Sequence, residues 1–279
     1  MTRRSNIRAA ALTSGNQQTE RQAKRIARQQ KHLEKDLLST GPYIQSTGPG
    51  PAARARTIKF TDIKQLEPLT DTQSDFFDSY ENNDADAYVL YGSAGTGKSF
   101  MAFYFALQDV LMQESVYKKI ILIRSSVQSR EQGHLPGSIE EKMEPFEQPY
   151  HSICAELLGR KDAYEKLKDT GAIEFHSSSF LRGSTFNNCI IIVDECQNFG
   201  FSELSTIVTR FGKSSKLIVC GDGAQNDLTT NKNDTSGFRD FLAVSKNMPE
   251  FRHFKFTTDD IVRSAFVKSW LIQCERMGI

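Results

Sequence analysis

The 279-residue chain is 38% hydrophobic, 10% aromatic and 25% charged, which excludes a protein that is disordered, collagen-like or coiled-coil throughout. Its length fits one large α/β domain with extensions, or at most two small domains. The five cysteines form no CxxC pair, and no apolar run approaches the roughly 18 residues of a membrane span. We therefore expect reduced thiols, no zinc site, no membrane contact and a cytoplasmic location.

The net charge of +1 conceals two oppositely charged regions. Residues 1–60 contain twelve Lys/Arg and three Asp/Glu, a net charge of +9, which leaves −8 on the rest. We interpret residues 1–57 as a basic arm and linker, and residues 58–279 as the folded domain. Within the arm, Glu20–Leu38 places apolar residues near one helical face, namely Ala23, Ile26, Ala27, Leu33 and Leu37. The arm is either a short helix that orders against a partner or a solvated tail.

Short, mainly apolar runs from Tyr88 onward predict the strands of a buried sheet. The strand candidates are Tyr88–Tyr91, Lys119–Ile123, Ala172–His176, Cys189–Val193, Leu217–Cys220 and Arg252–Phe256. Helical patterns lie between them, at Ser99–Met112 and Glu203–Phe211. This alternation predicts an α/β fold, a mostly parallel sheet flanked by helices, with right-handed crossovers. Aromatic and apolar residues at helical spacing are assigned to the core, namely Phe76, Phe77, Tyr80, Phe266, Val267 and Trp270.

A glycine-rich segment after the first of these runs matches the phosphate-loop pattern G-x-x-x-x-G-K-[ST] in full. It consists of Gly92, Ser93, Ala94, Gly95, Thr96, Gly97, Lys98 and Ser99. Small residues let successive backbone N–H groups surround a phosphate, and the helix that continues at Phe100 adds its positive N-terminal end. We expect Lys98 to bind the β- and γ-phosphates of ATP and the Ser99 hydroxyl to bind Mg²⁺.

Two acids directly follow the apolar run Cys189–Val193, at the edge where ligands bind in open α/β sheets. We expect Asp194 to hold Mg²⁺ and Glu195 to polarise the attacking water, although such a pair can also cap a helix. Beyond Cys220, Gln225 is a candidate sensor of the γ-phosphate, in a stretch that also fits a polar turn. Together with the phosphate loop, the acids predict a nucleoside triphosphatase.

Further motifs occur in order between Thr70 and about Lys268. They are Arg124–Gln128 with Leu135–Gly137, Phe180–Gly183, Asp194–Gln197, Thr209–Gly212, Gly221–Asp222 with Gln225, Ser236–Phe238 and Asp260–Arg263. On these motifs the chain resembles the PhoH family of P-loop ATPases, in a compact form similar to bacteriophage versions. The resemblance implies a RecA-like, Mg²⁺-dependent ATPase domain related to superfamily 1 helicase motors, in a bacterium or a phage-infected cell. Cys196 and Ser125 depart from the family pattern, which has Ala and, in many relatives, Pro.

The resemblance also implies roles for Gln73 and three arginines. By analogy with helicase motors, Gln73 reads adenine, close to Thr70, which also suits a helix cap. Hydrolysis needs positive charge at the γ-phosphate, which helicases bring from a second motor domain that does not fit here. We therefore expect a homo-oligomer, such as a hexameric ring, in which a neighbouring subunit supplies Arg263 or, as next candidates, Arg182 or Arg210. Each arginine could instead form a surface salt bridge.

Three functions fit these observations. The first is an ATPase that acts on RNA or DNA, because the motifs resemble helicases and the basic arm can contact phosphates. The second is an ATP-dependent switch or assembly factor for a protein partner, on which the arm docks as a helix. A small-molecule kinase is a weaker interpretation because no lid insertion or acceptor site is recognisable.

Overall fold

The computed structural model describes residues 58–125, 139–178, 185–222 and 237–277, with side chains from residue 143 onward in the second range. Several predictions concern residues outside these ranges. They include the basic arm 1–57, the segment 126–138, Arg182 and Gln225.

The strands of the described ranges form one six-stranded sheet. They are β1 (Ala87–Gly92), β2 (Lys119–Arg124), β3 (Ile173–Ser177), β4 (Cys189–Asp194), β5 (Lys216–Gly221) and β6 (Phe251–Phe256). Their order is β3-β2-β4-β5-β1-β6, and each neighbouring pair is parallel. The predicted α/β fold is therefore confirmed. Because β5 lies between β1 and β4, the carboxyl ends of these three strands border one crevice.

Helices connect the strands and cover both faces of the sheet. They are α1 (Asp71–Asn82), α2 (Lys98–Leu111), α3 (Ile139–Leu158), α4 (Ala163–Asp169), α5 (Phe201–Val208), α6 (Phe238–Ser245) and α7 (Ala265–Met277). Helix α1 begins after Thr70, whose hydroxyl accepts a hydrogen bond from the backbone N–H of Gln73, so the predicted cap is confirmed. Helix α2 is buried from Met101 to Leu111, as its nearly uniform apolar sequence predicts.

Two apolar clusters pack against opposite faces of the sheet because side chains alternate along each strand. In β4, Ile190 and Ile192 join the cluster beneath α1–α4, whereas Ile191 and Val193 join the one beneath α5 and α6. The first cluster includes the aromatic residues that the sequence assigned to the core of α1, namely Phe76, Phe77 and Tyr80. With both faces covered, β4 and β5 are buried along their whole length.

Two predictions are wrong in detail. The helix predicted at Glu203–Phe211 ends at Val208, because Phe211 leaves it to form a parallel bridge with Phe186. The C-terminal helix exists, but its aromatic face is not on the core: Phe266 is 81% exposed and Trp270 65% exposed. No helix in the described part of the chain combines the length and apolar character that crossing a bilayer requires.

Candidate nucleotide-binding site

The phosphate loop joins the end of β1 to the start of α2. Gly92 has a φ of 122°, and a Cβ at this position would overlap the carbonyl oxygen of Phe256 on the neighbouring β6. Gly97, with a φ of 83°, is the left-handed N-cap of α2. Only glycine adopts both conformations without strain, so the glycines of the motif serve the turn as well as the approach of a phosphate.

The Lys98 ammonium folds back over the phosphate loop. Its Nζ donates to the carbonyl oxygens of Gly92 at 2.9 Å and Ser93 at 2.6 Å. Burial lowers the pKa of Lys98, and this effect is opposed by nearby acidic groups, of which Asp222 contributes most. A half-buried cation held by backbone carbonyls can exchange these weak partners for an incoming phosphate anion.

Asp194 lies opposite the phosphate loop, at the end of β4. Its Oδ1 accepts a hydrogen bond from the Ser99 hydroxyl at 2.6 Å, and its Oδ2 accepts one from the Tyr150 hydroxyl at 2.9 Å. The phosphate-loop motif and the acidic residue after the buried strand, which the sequence predicted separately, are thus in direct contact. Carboxylate and hydroxyl oxygens are the ligands that Mg²⁺ prefers, so the donors present fit this ion.

Glu195 occupies a backbone conformation that few residues adopt. Its φ of 53° and ψ of 44° are left-handed, a region that costs an L-residue about 1 kcal/mol and often marks functional positions. Burial, with the adjacent Asp194 as the next cause, raises the pKa of Glu195, while the Gln197 amide and Arg124 work in the opposite direction. A carboxylate whose pKa lies above the usual value is a better general base than a fully solvated one.

Two polar residues hold Glu195 in place. The Gln197 Nε2 donates to Glu195 Oε2 at 2.6 Å, while its Oε1 accepts from the backbone N–H of Asp222 at 2.9 Å. Arg124, at the end of β2, places Nη2 3.7 Å from Glu195 Oε1 and donates through Nη1 to the carbonyl of Phe146 at 3.2 Å. The ends of β2, β4 and β5 are thereby joined around one carboxylate.

The phosphate loop, the two acids and Arg124 line a cleft of about 440 Å³, a size typical of small-molecule sites. One wall consists of residues 94–100 of the phosphate loop and α2. The opposite wall comes from the acids, from Arg124 and from α3, through Pro149, Ser152, Ile153 and Glu156. The cleft thus contains most of the expected nucleotide-binding residues, together with a contribution from α3 that the sequence did not indicate.

Arg263 lies in the cleft of its own chain. The backbone N–H of the preceding Val262 donates to the carbonyl of Gly95 at 3.1 Å. A Cβ at Gly95 would lie 3.0 Å from Cγ of Arg263 and 3.2 Å from Cδ1 of Leu271 on α7. The segment from Val262 to α7 therefore packs directly on the phosphate loop, and Ser93 Oγ donates to Glu275 Oε2 at 3.0 Å.

Gln73 is next to the loop but its amide is already engaged. Its Nε2 donates to the carbonyl of Thr96 at 3.1 Å, and its Oε1 accepts from the backbone N–H of Leu69 at 2.7 Å. A primary amide has a second N–H and a second lone pair, but the Gln73 side chain is only 4% exposed. The adenine-reading role stays a prediction, and the structure adds that Gln73 supports the phosphate loop.

The other predicted residues are more dispersed. Arg210 lies at the far end of β4 from Asp194, because its carbonyl accepts from the backbone N–H of Phe186, ahead of that strand. Arg182 and Gln225 lie outside the described residues. Three residues contact the acids without having been assigned a role from the sequence, namely Arg124, Tyr150 and Gln197. Gln197 and Arg124 belong to recognised motifs and could have been suspected, whereas no local pattern marks Tyr150.

A model of the family described as PhoH-like protein matches residues 65–274. The chain belongs to the PhoH-like family. Relatives include a PhoH-like protein of Synechocystis sp., 33% identical over 192 residues, which are 68% of this chain and 57% of the relative. Protein PhoH of Escherichia coli K12 is 28% identical over 255 residues, 90% of this chain and 70% of the relative. The chain spans little more than half the length of the Synechocystis protein.

Among solved structures, the HK97 bacteriophage large terminase is similar to this PhoH-like chain. The TM-score is 0.44 and the sequence identity 16%, over 79% of this chain and 50% of the terminase. The family match and the geometry of the glycine-rich loop together identify a P-loop fold.

Proposed function

We propose that this PhoH-like chain binds and hydrolyses ATP with Mg²⁺, and that the reaction drives remodelling of RNA or DNA by an oligomeric assembly. The observation that carries the ATPase proposal is the 2.6 Å hydrogen bond between Ser99 Oγ and Asp194 Oδ1. This hydrogen bond joins the phosphate loop after β1 to Asp194 at the end of β4, although β5 lies between these two strands in the sheet. A structural turn that bound no ligand would not need this contact.

Phosphate binding uses the backbone N–H groups of the loop and the positive N-terminal end of α2. Lys98 moves from the carbonyls of Gly92 and Ser93 to the β- and γ-phosphates, which satisfy its charge more fully. Ser99 and Asp194 would hold Mg²⁺, which supplies charge neutralisation on the phosphate oxygens when bound. Gln73 supports the loop through the carbonyl of Thr96 and keeps its proposed role in reading adenine.

Water activation is assigned to Glu195. Its left-handed backbone turns the carboxylate back toward the cleft, and Gln197 fixes one oxygen by a short hydrogen bond. Gln197 also accepts a hydrogen bond from the backbone N–H of Asp222, so this one side chain connects the end of β5 to the general base Glu195. Gln225 follows Asp222 by three residues and keeps its proposed role as a γ-phosphate sensor.

Positive charge at the γ-phosphate is assigned first to Arg263, acting on the nucleotide of its own chain, because it lines the same cleft as Lys98 and Ser99. This replaces the expectation that Arg263 acts on a neighbour. A residue supplied by another subunit of a ring is still part of the proposal. Arg210 suits that role better, since it is remote from the cleft of its own chain.

Nucleic acid is the proposed substrate because the chain has a +9 charge over residues 1–60, well suited to sequence-independent phosphate contacts. One observation favours the alternative, an ATP-dependent switch for a protein partner. Helix α7 contacts the phosphate loop on one side and exposes Phe266, Trp270 and Met277 on the other. An exposed apolar face next to a nucleotide site is typical of a surface that binds protein.

The test is the steady-state ATPase rate with and without single-stranded RNA or DNA, at several salt concentrations. Lys98→Ala is the inactive control. We expect stimulation that weakens as salt rises and that is lost when residues 1–57 are deleted, because released counterions drive such binding. No stimulation at low salt, with the same rate after the deletion, favours the protein-partner function. Absence of any hydrolysis by the wild-type chain refutes the ATPase proposal, and a particle mass measured with ATP tests the ring.

A further inference from the structure

Asp194 receives hydrogen bonds on both carboxylate oxygens, from two different elements. Ser99, at the start of α2, occupies Oδ1, whereas Tyr150, in the middle of α3, donates its hydroxyl to Oδ2 at 2.9 Å. Tyr150 is 1% exposed and Asp194 is 5% exposed. The Tyr150–Asp194 hydrogen bond is therefore shielded from water, which makes it stronger than a hydrogen bond at the surface, whereas the Ser99–Asp194 hydrogen bond faces the cleft.

The Tyr150 ring is held rigidly, so the position of its hydroxyl is fixed. It stacks on Phe103 of α2, with ring centroids 5.8 Å apart and planes at 22°, and it contacts Phe175 of β3 at 6.2 Å. A buried hydroxyl without a partner costs about 1–3 kcal/mol. The packing thus presents one donor to one carboxylate oxygen and disfavours any arrangement in which they separate.

The carboxylate of Asp194 needs such a partner because its own torsion is soft. Rotation about the Cβ–Cγ bond of an aspartate is broad, since it joins an sp³ to an sp² atom. The hydrogen bond from Tyr150 turns Oδ2 toward α3 and leaves Oδ1 facing Ser99, the hydroxyl proposed to bind the metal. We propose that Tyr150 is a positioning residue that orients Asp194 for Mg²⁺, an inference that rests on the proposed ATPase function.

Helix α3 gains a second connection to the site through Arg124, which joins the carbonyl of Phe146 to Glu195. Asp194 is therefore bonded directly to α3 through Tyr150, and Glu195 is linked to α3 indirectly through Arg124 of β2. Pro149 of α3 also lines the cleft, directly beside Tyr150 in the chain.

The variant Tyr150→Phe removes the hydroxyl and keeps the ring stacked on Phe103. Isothermal titration with ATP, once with Mg²⁺ and once with EDTA, gives the factor by which Mg²⁺ strengthens binding. We expect this factor to fall about 10-fold, the lower end of the effect of removing a partner of a metal ligand. ATP affinity in EDTA should equal that of the wild type, because Tyr150 does not line the phosphate loop.

Tyr164→Phe is the matched control. Tyr164 is also fully buried, and its hydroxyl donates to the buried carboxylate of Glu147 at 2.6 Å, without contacting Asp194. This variant should keep the wild-type Mg²⁺ factor. Tyr150→Leu removes the donor and also the ring that stacks on Phe103, so it should lose at least as much of the Mg²⁺ factor as Tyr150→Phe. Urea denaturation of each variant shows that the chain measured is folded.

Two results overturn the inference. One is a wild-type Mg²⁺ factor in the Tyr150 variants, and the other is an equal loss in Tyr164→Phe, which would show a general effect of buried hydroxyls. Failure of the proposed function looks different, because the wild-type chain itself then shows no Mg²⁺-dependent ATP binding. In that case the inference fails with it.

Discussion

Arg263→Ala tests where the positive charge at the γ-phosphate comes from. The Arg263 side chain packs on Gly95, and the adjacent Val262 is hydrogen-bonded to that same glycine at 3.1 Å. Arg263 therefore lies beside the phosphate loop of its own chain. Removing an arginine that stabilises the transition state lowers turnover about 10³-fold or more. ATP binding should change only a few-fold, because Lys98 and the loop N–H groups remain.

The assay combines single-turnover hydrolysis with equilibrium ATP binding, and Arg276→Ala serves as control. Arg276 is an exposed arginine in the last turn of α7, and we expect its removal to leave both quantities unchanged. Mixing Arg263→Ala with Glu195→Gln then separates the two possible sources of the charge. If Arg263 acts within its own chain, every site in the mixture lacks either the arginine or the general base, and no activity returns.

A neighbouring subunit as the source predicts a different result. In an equimolar random mixture, about one quarter of the sites would combine an intact Glu195 with a neighbour that supplies Arg263, as expected for a head-to-tail interface. Recovery of about a quarter of wild-type activity would therefore refute the assignment to the same chain. Normal hydrolysis by Arg263→Ala alone would remove the residue from the mechanism altogether.

Three further changes test the general base, the loop backbone and a titrating histidine. Glu195→Gln should lower kcat by about 10²- to 10⁴-fold while ATP binding persists, as measured by single-turnover kinetics and calorimetry, and an unchanged kcat contradicts the assigned role. Gly92→Ala should destabilise the fold by more than Gly171→Ala in urea denaturation, because both glycines have positive φ but only the first would place a Cβ against Phe256. An equal loss, near the roughly 1 kcal/mol of a left-handed alanine, would show that the overlap relaxes. Burial lowers the pKa of His253 below its usual 6.5, so the unfolded chain binds the proton more readily and stability falls as pH drops through 6.5 toward the folded pKa. In urea denaturation at several pH values, His253→Gln should make the free energy of unfolding less dependent on pH in this range. An unchanged pH dependence would assign the effect to another group.

The sequence predicted the parts of the site that depend on local chemistry. A phosphate loop needs glycine at defined positions, as the φ values of Gly92 and Gly97 show. The loop can therefore be recognised from the sequence alone. Buried strands need continuous apolar runs, so β4 and β5 were recognisable within one or two residues. Acids that directly follow such a strand must lie at its carboxyl end, which placed Asp194 and Glu195.

The local sequence did not determine which residues of the C-terminal helix are buried. The spacing of Phe266 and Trp270 fits a core-facing helix, yet both side chains are exposed. Periodicity reports that a helix has an apolar face but not which surface covers that face. One side of α7 packs on the phosphate loop, and the other side, with Phe266 and Trp270, is exposed within the described ranges.

Tertiary structure alone decided which distant residues meet at the acids. Tyr150 is 44 residues from Asp194 in the chain, and Arg263 reaches the phosphate loop from beyond β6. Such contacts depend on strand order and on how α3 and α7 pack, and a single sequence carries no local signal for either. The residue types of each segment determine which groups it can bind, whereas the contacts between distant segments form only when the sheet folds.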